Sequence, residues 1–230
     1  MDGNGRWARE RGQIASAGHK AGIDALQRTV ESCIEHGIGY LTVFALSVEN
    51  NRNRDDQEVK FLISLMYSVV HERLQKLHDE GVKLIFVGSI QALEDQGLLE
   101  VIKRAEILTQ ENTRLVLTVS LNFSGRDDIV QATRSLLKLV QEYQIDPSDI
   151  DVSTFGNHLS MSHIPEGYRD PDLLIRTGGE QRLSNFLLWQ LAYSELYFSD
   201  TYWPDFDAED FSIALEEYSK RDRRFGARIL

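Results

Sequence analysis

The residues with the most chemistry stand at opposite ends of the chain. At the start, Met1-Asp2-Gly3-Asn4-Gly5-Arg6-Trp7 sets an acid, two closely spaced glycines and an arginine beside a tryptophan. Glycine accepts left-handed φ values and lets backbone approach a ligand, so Gly3 and Gly5 read as a turn whose N–H groups can point at an anion. The run Arg-Trp-Ala-Arg-Glu-Arg that follows predicts a helix whose N-terminus faces the same spot. Asp2 has the wrong charge for an anion site unless a cation lies between. A divalent metal on Asp2, with the glycine turn and Arg6 holding a phosphate, satisfies both charges. Near the other end, Arg176, Arg182 and Ser184 flank Gly178-Gly179, ahead of an apolar run that predicts a helix. Two guanidiniums and a hydroxyl converging at a helix start make a diphosphate clamp, because the arginine fork matches phosphate oxygens. Glu195 follows in an apolar, aromatic context. It reads either as an acid paired with an arginine or as a metal ligand opposite Asp2.

Such residues need a scaffold that brings distant segments together. From Ala21 to His36 the residues Ile23, Leu26, Val30 and Ile34 form a helical stripe that stops at Gly37. Tyr40 to Leu46 reads as a buried strand, Asp55 to Glu80 as a long helix stopped by Gly81, and VKLIFVG as a second strand. The alternation continues with a helix from Leu98 to Gln110, a strand in RLVLTVSLNF, a helix from Asp128 to Tyr143 and a strand in DLLIRTG. This order predicts an α/β fold with a largely parallel central sheet flanked by helices. Ligands collect at the carboxyl ends of such strands. Those ends here are Ser47-Val48-Glu49-Asn50, Gly88-Ser89, Asn122 to Arg126, and Arg176 to Glu180, and they are expected to form one shared site.

The 230 residues, 42% hydrophobic and 27% charged, suit one large domain without a low-complexity linker. A net charge of −11 argues against general nucleic-acid binding, though not against a small anionic substrate met by local arginines. Cys33 is the only cysteine, which excludes an internal disulfide and a cysteine metal cluster and reads as a small buried hydrophobe. No apolar stretch reaches the roughly 18 residues that span a bilayer. No G-x-x-x-x-G-K-[ST] motif occurs, and GNGRWA lacks the third glycine of a dinucleotide turn. The pairs Asp55-Asp56 and Asp127-Asp128 lack the further aspartate of the metal box of trans-type prenyl synthases, which leaves isolated carboxylates as metal ligands.

The segments MDGNGRWA, GHKAG, FALSVEN, PDLLIRTGGEQRLSNFLLWQLAYSELYF, WPDF and RDRRFG, in that order, resemble the cis-prenyltransferases over essentially the whole chain. The resemblance implies a single domain over 1–230 of the undecaprenyl diphosphate synthase-like fold, with a hydrophobic tunnel and a homodimer. It implies Mg2+, an allylic diphosphate and isopentenyl or dimethylallyl diphosphate as substrates, and a place in the cytoplasm, in a plastid stroma after loss of a transit peptide, or peripheral to a membrane through a lipid product. By motif position, Asp2 is the catalytic acid and metal ligand. Gly3, Asn4, Gly5, Arg6 and Trp7 hold the allylic diphosphate with His19 nearby. Ser47, Glu49 and Asn50 lie beside the second substrate, and Asn50 takes part in proton removal. Arg176, Arg182 and Ser184 hold the second diphosphate, Glu195 completes the metal site, and RDRRFG reaches across the dimer. The long helix offers Phe61, Leu62, Leu65 and Met66 as tunnel wall, a stripe that reads equally as plain core.

The chain departs from the family pattern at four places. The strand that normally precedes the first motif is missing or truncated. ENNRNRDD stands where ENWNRP is usual, leaving Arg52 or Arg54 as the phosphate contact. Ala15 replaces an arginine ahead of GHKAG, and Ser124 and Asp127 stand where Gly and Trp are common. These changes fall on substrate-contacting loops. They leave open a short or irregular, lavandulyl-type coupling of two dimethylallyl units beside regular chain extension, and a non-catalytic partner subunit as a further alternative.

Overall fold

The computed structural model describes residues 1–53, 56–93 and 95–222. Helix α1 (Asn4–Glu10) leads into α2 (Ala15–Glu35), then strand β1 (Tyr40–Phe44), a short α3 (Val48–Asn53) and the long α4 (Asp56–Asp79). Next come β2 (Val82–Val87), α5 (Gln96–Thr109), β3 (Leu115–Ser120), α6 (Gly125–Gln141) and a short α7 (Val152–Gly156). Strands β4 (Leu173–Arg176) and β5 (Glu195–Phe198) precede the last helix, α8 (Ala208–Ser219).

All strand pairs are parallel, in the orders β1-β3-β2 and β4-β5. The α/β expectation holds, but among the described residues the strands form two sheets, and β5, a strand that was not expected, follows the apolar run expected to be helical. Parallel strands need cover on both faces. Along β1 the side chains alternate: Val43 packs with Val30, Leu74 and Leu117, while Tyr40 and Phe44 pack with Phe123, Phe186 and Leu187 on the opposite face. Helices α2, α4 and α5 cover the first face.

Helix α2 begins before its apolar stripe, because GHKAG is part of it. Gly18 and Gly22 mark where α1 crosses: a Cβ would lie 2.0 Å from the Asn4 carbonyl oxygen at Gly18 and 2.4 Å from Asn4 Oδ1 at Gly22. The two glycines cost helix propensity, and the close approach they permit fixes α1 on α2. Helix α6 begins at Gly125 rather than Asp128, with Ser124 as its N-cap accepting from the Asp127 N–H.

Candidate active site

Asp2 is held through its backbone. Its N–H donates to Thr177 Oγ1 at 3.0 Å, the Thr177 hydroxyl donates back to the Asp2 carbonyl at 2.9 Å, and the Trp203 N–H donates to the same carbonyl at 2.9 Å. Trp203 is anchored in turn by its ring N–H on the Gly22 carbonyl at 2.8 Å. Gly3 sits at φ 106, where a Cβ would lie 2.7 Å from the Tyr202 ring, so only glycine fits. Its N–H does not face an incoming anion as the sequence suggested. It donates to Asp2 Oδ1 at 2.7 Å, and Arg176 Nη2 donates to Oδ2 at 3.0 Å. Burial alone would raise the Asp2 carboxyl, but Arg176, the Gly3 N–H and the Arg6 charge outweigh it and hold the group below the usual aspartate range.

Helix α1 starts at Asn4, two residues earlier than the glycines suggested, and sorts its side chains between two faces. Arg6 reaches to 3.4 Å from Asp2 Oδ1 and 3.6 Å from Glu180 Oε1, with its guanidinium over the Tyr202 ring. Asn4 and Gly5 line the cavity described below, yet the Asn4 amide turns inward to donate to the Met1 carbonyl at 3.2 Å. Trp7 is not among the residues lining that cavity: its ring N–H donates to Asp205 at 2.6 Å, and Arg11 covers the ring while pairing with Asp205. His19 lines the cavity with Nε2 3.3 Å from Glu58 Oε1.

Arg176 joins the two ends of the sequence. Besides Asp2, it donates from Nη1 to Ser184 Oγ at 2.9 Å and to the Arg182 carbonyl, so one guanidinium spans the acid and the loop after β4. The expected helix after Gly179 does not form. Ser184, Asn185 and Leu187 have φ of 49, 62 and 41, which a right-handed helix cannot contain, and residues 181–194 are turns. The Arg182 guanidinium pairs with Glu180. Glu195 therefore opens β5 opposite Leu173, whereas Asp2 meets the far end of the pair at Arg176 and Thr177. At ~3.3 Å per residue, about 10 Å of strand separates them. Glu195 bonds Arg221 at 2.8 Å, so the paired-acid reading describes it within this chain and the pairing with Asp2 is not formed. Of RDRRFG, only Arg221 and Asp222 fall among the described residues, and Arg54 lies outside them as well.

The other strand ends divide. Ser47, Glu49, Asn50 and Arg126 line the cavity, with Ser47 Oγ accepting from the Asn50 N–H at 2.9 Å. Gly88-Ser89 does not reach it, because the Ser89 backbone is engaged on both sides by Asn122. Sequence reasoning included Thr177 only as part of the Arg176 to Glu180 strand end, without its role in holding Asp2, and it missed Asn185, which donates to Glu49 Oε1 at 2.6 Å. Both sit beside residues that were singled out, and a hydroxyl or amide next to a charged cluster was the available signal.

Asp2, Ser47, Thr177 and Asn185 are among the residues lining a cavity of about 1520 Å³ to which every residue of β1 and β4 contributes. Asp2, Arg176, Arg182 and Ser184 give its lining a connected charged cluster, and Leu62, Leu65, Met66 and Phe86 give it apolar surface. Phe61 is not among its lining residues and faces a smaller groove with Lys20 and Arg73. Cys33 borders the cavity, but burial pushes its thiol up to about 12, which fits the inert reading.

Among the described residues no three His, Cys, Asp or Glu side chains cluster to hold a metal. Mg2+ does not require such a cage, since it commonly uses one or two carboxylates together with substrate phosphates and water. Each Asp2 carboxylate oxygen accepts one close hydrogen bond and keeps a second lone pair. Asp2 fits that role, and Glu195 in the same chain does not.

Residues 1–226 match the family model described as "Putative undecaprenyl diphosphate synthase". The chain belongs to this family. It is 46% identical over 226 residues to an isoprenyl transferase of Streptococcus pneumoniae, covering 98% of this chain and 89% of that protein. A ditrans,polycis-undecaprenyl-diphosphate synthase of Salmonella typhi, described as (2E,6E)-farnesyl-diphosphate specific, is 45% identical, with 98% and 87% covered. The lavandulyl diphosphate synthase of Lavandula x intermedia, solved in complex with dimethylallyl diphosphate, superposes with TM-score 0.93 at 36% identity, covering 99% of this chain and 95% of that one. The chain is a cis-prenyltransferase with the fold of that family.

Proposed function

We propose that this cis-prenyltransferase joins an allylic diphosphate to isopentenyl diphosphate, with Mg2+, to give a (Z)-prenyl diphosphate. The observation that carries the reading is Arg176 bridging Asp2 and Ser184 in the lining of a large cavity that Leu62, Leu65, Met66 and Phe86 also line. In the reaction the allylic C–O bond breaks, a C–C bond forms to the terminal carbon of isopentenyl diphosphate, and a proton leaves the new chain. Negative charge grows on the departing diphosphate, where Arg6 and the groups around Asp2 lower its cost. Mg2+, held by Asp2 and phosphate oxygens, would add further charge stabilisation there. The allylic cation needs a water-poor surrounding, which Leu62, Leu65 and Met66 supply as the wall of a product tunnel. Arg176, Arg182 and Ser184 hold the second diphosphate so that its double bond is the nearest nucleophile. An amide cannot take up a proton at neutral pH, so Asn50 acts in proton removal by orienting the acceptor.

Incubation with labelled isopentenyl diphosphate and farnesyl or dimethylallyl diphosphate, with and without Mg2+, followed by product sizing, tests the reading. The expected outcome is a Mg2+-dependent product longer than the allylic substrate. Absence of product with every pair overturns it. The likeness to the lavandulyl diphosphate synthase complex supports a second reading, irregular coupling of two dimethylallyl units, and dimethylallyl diphosphate supplied alone separates the two. Retention of Asp2, Arg176 and Arg182 in one connected site speaks against a non-catalytic partner subunit. No helix among the described residues is long and apolar enough to cross a membrane.

A further inference from the structure

We propose that Asn185 is a positioning residue for the second substrate: it locks the loop carrying Arg182 and Ser184 to the Glu49 carboxylate and to the start of α6. Its side chain is fully engaged. Nδ2 donates to Glu49 Oε1 at 2.6 Å and to Ser124 Oγ at 2.8 Å, and Oδ1 accepts from the Arg126 N–H at 2.9 Å. Its carbonyl accepts from the Gly125 N–H at 2.8 Å. Asparagine also suits the left-handed φ of 62, which the amide tolerates better than most side chains do.

The start of α6 is thereby used up. The Gly125 and Arg126 N–H groups go to Asn185 and the Asp127 N–H goes to Ser124. This helix end, which the sequence offered as part of a phosphate rim, instead orients an amide. The partial positive charge of the helix terminus polarises the Asn185 oxygen and strengthens the hydrogens directed at Glu49. The neighbouring Ser184 accepts from Arg176, so the residue that fixes Glu49 also fixes where the cationic loop sits. Burial opposes ionisation of Glu49, and Asn185, Ser47 and Arg52 overcome it, keeping the carboxyl below its usual range. Arg126 and Arg182 line the same cavity.

The inference rests on the prenyl-transfer reading. Its test uses a substitution that keeps the fold. Asn185→Asp has the same shape, tolerates the same φ and places a favourable carboxylate at the start of α6. The edge toward Glu49 and Ser124 changes from donor to acceptor; the Ser124 hydroxyl can turn to donate, whereas Glu49 keeps its hydrogen bond only while the two carboxylates share a proton. Kinetics with isopentenyl and farnesyl diphosphates are measured across pH for the wild type, Asn185→Asp and Asn185→Ala, with thermal melts alongside. Asn185→Ala is expected to raise KM for isopentenyl diphosphate about tenfold or more, leaving KM for farnesyl diphosphate in place. Asn185→Asp is expected to melt like the wild type, to stay close to the wild-type KM for isopentenyl diphosphate at the acid end of the range, where the shared proton keeps the lock, and to lose it as pH rises and both carboxylates ionise. A wild-type pH profile in Asn185→Asp, or a loss equal at every pH with a lowered melting temperature, overturns the inference alone. A wild type without product overturns the activity reading and this inference together.

Discussion

The N-terminal turn and the loop after β4 supply the two halves of one charged site, and they are held in different ways. Asp2 is fixed by backbone bonds to buried partners: Thr177 is 1% exposed and Trp203 6%. The Trp203-Pro204-Asp205-Phe206 turn adds Asp205 on Trp7 and Arg11, and Arg28 on the Pro204 and Phe206 carbonyls. The loop after β4 depends instead on side chains, with three non-glycine residues at positive φ and an Arg182 side chain that is 61% exposed. Positive φ at such residues is a strained arrangement that persists only where surrounding bonds insist on it. A reacting acid must hold its geometry to a fraction of an ångström. The Arg182 guanidinium, proposed to take up a diphosphate, extends from a loop that the bonds of Arg176 and Asn185 hold in place.

Removing the acid tests this contrast most severely. Asp2→Ala is expected to cut turnover by about a thousandfold or more, with the fold kept because the backbone bonds to Thr177 and Trp203 survive. Wild-type turnover in that variant, measured beside a circular dichroism melt, would sink the role given to Asp2.

Thr177→Val keeps the side-chain volume but deletes both bonds to the Asp2 backbone, and each unsatisfied buried group costs ~1–3 kcal/mol. A lower melting temperature together with a fall in kcat larger than any rise in KM is expected. If only stability changes, Thr177 supports the fold without setting the acid.

The smallest effect is on pH dependence. Asp2 has a lowered pKa when folded, so its stabilising contribution is present above the unfolded aspartate value and fades as pH falls through the folded one. The stability gap between wild type and Asp2→Asn is therefore expected to be widest near neutrality and to close below the usual aspartate range. The gap is modest, because the Asp2 side chain is 39% exposed and screened. Urea melts over that range measure it, and a gap that widens toward acid contradicts the assignment.

Much of the scaffold was legible in advance, since apolar periodicity and glycine stops are local signals. They located α4, α5, α6 and four of the five strands among the described residues to within a few residues, and α2 at its C-terminal end but six residues late at its start. The run from Arg182 to Ser194 misled because its composition suits a helix, whereas the φ signs at Ser184, Asn185 and Leu187 are set by Arg176, Glu49 and the start of α6. The partner of Trp7 was not legible either, because Asp205, which accepts from its ring N–H, lies near the other end of the chain.

The order of residues by itself determined the alternation of helices and strands, the family and the chemical character of Asp2, Arg176, Arg182 and Ser184, because these depend on side-chain type and short-range spacing. Only the tertiary structure decided that one guanidinium joins Asp2 to Ser184, that Trp7 bonds Asp205, that Glu195 stands at the far end of β5, and that Asn185 holds Glu49. Those outcomes depend on parallel register and on which buried donors lack a partner, quantities that exist only once the two ends of the chain are packed together.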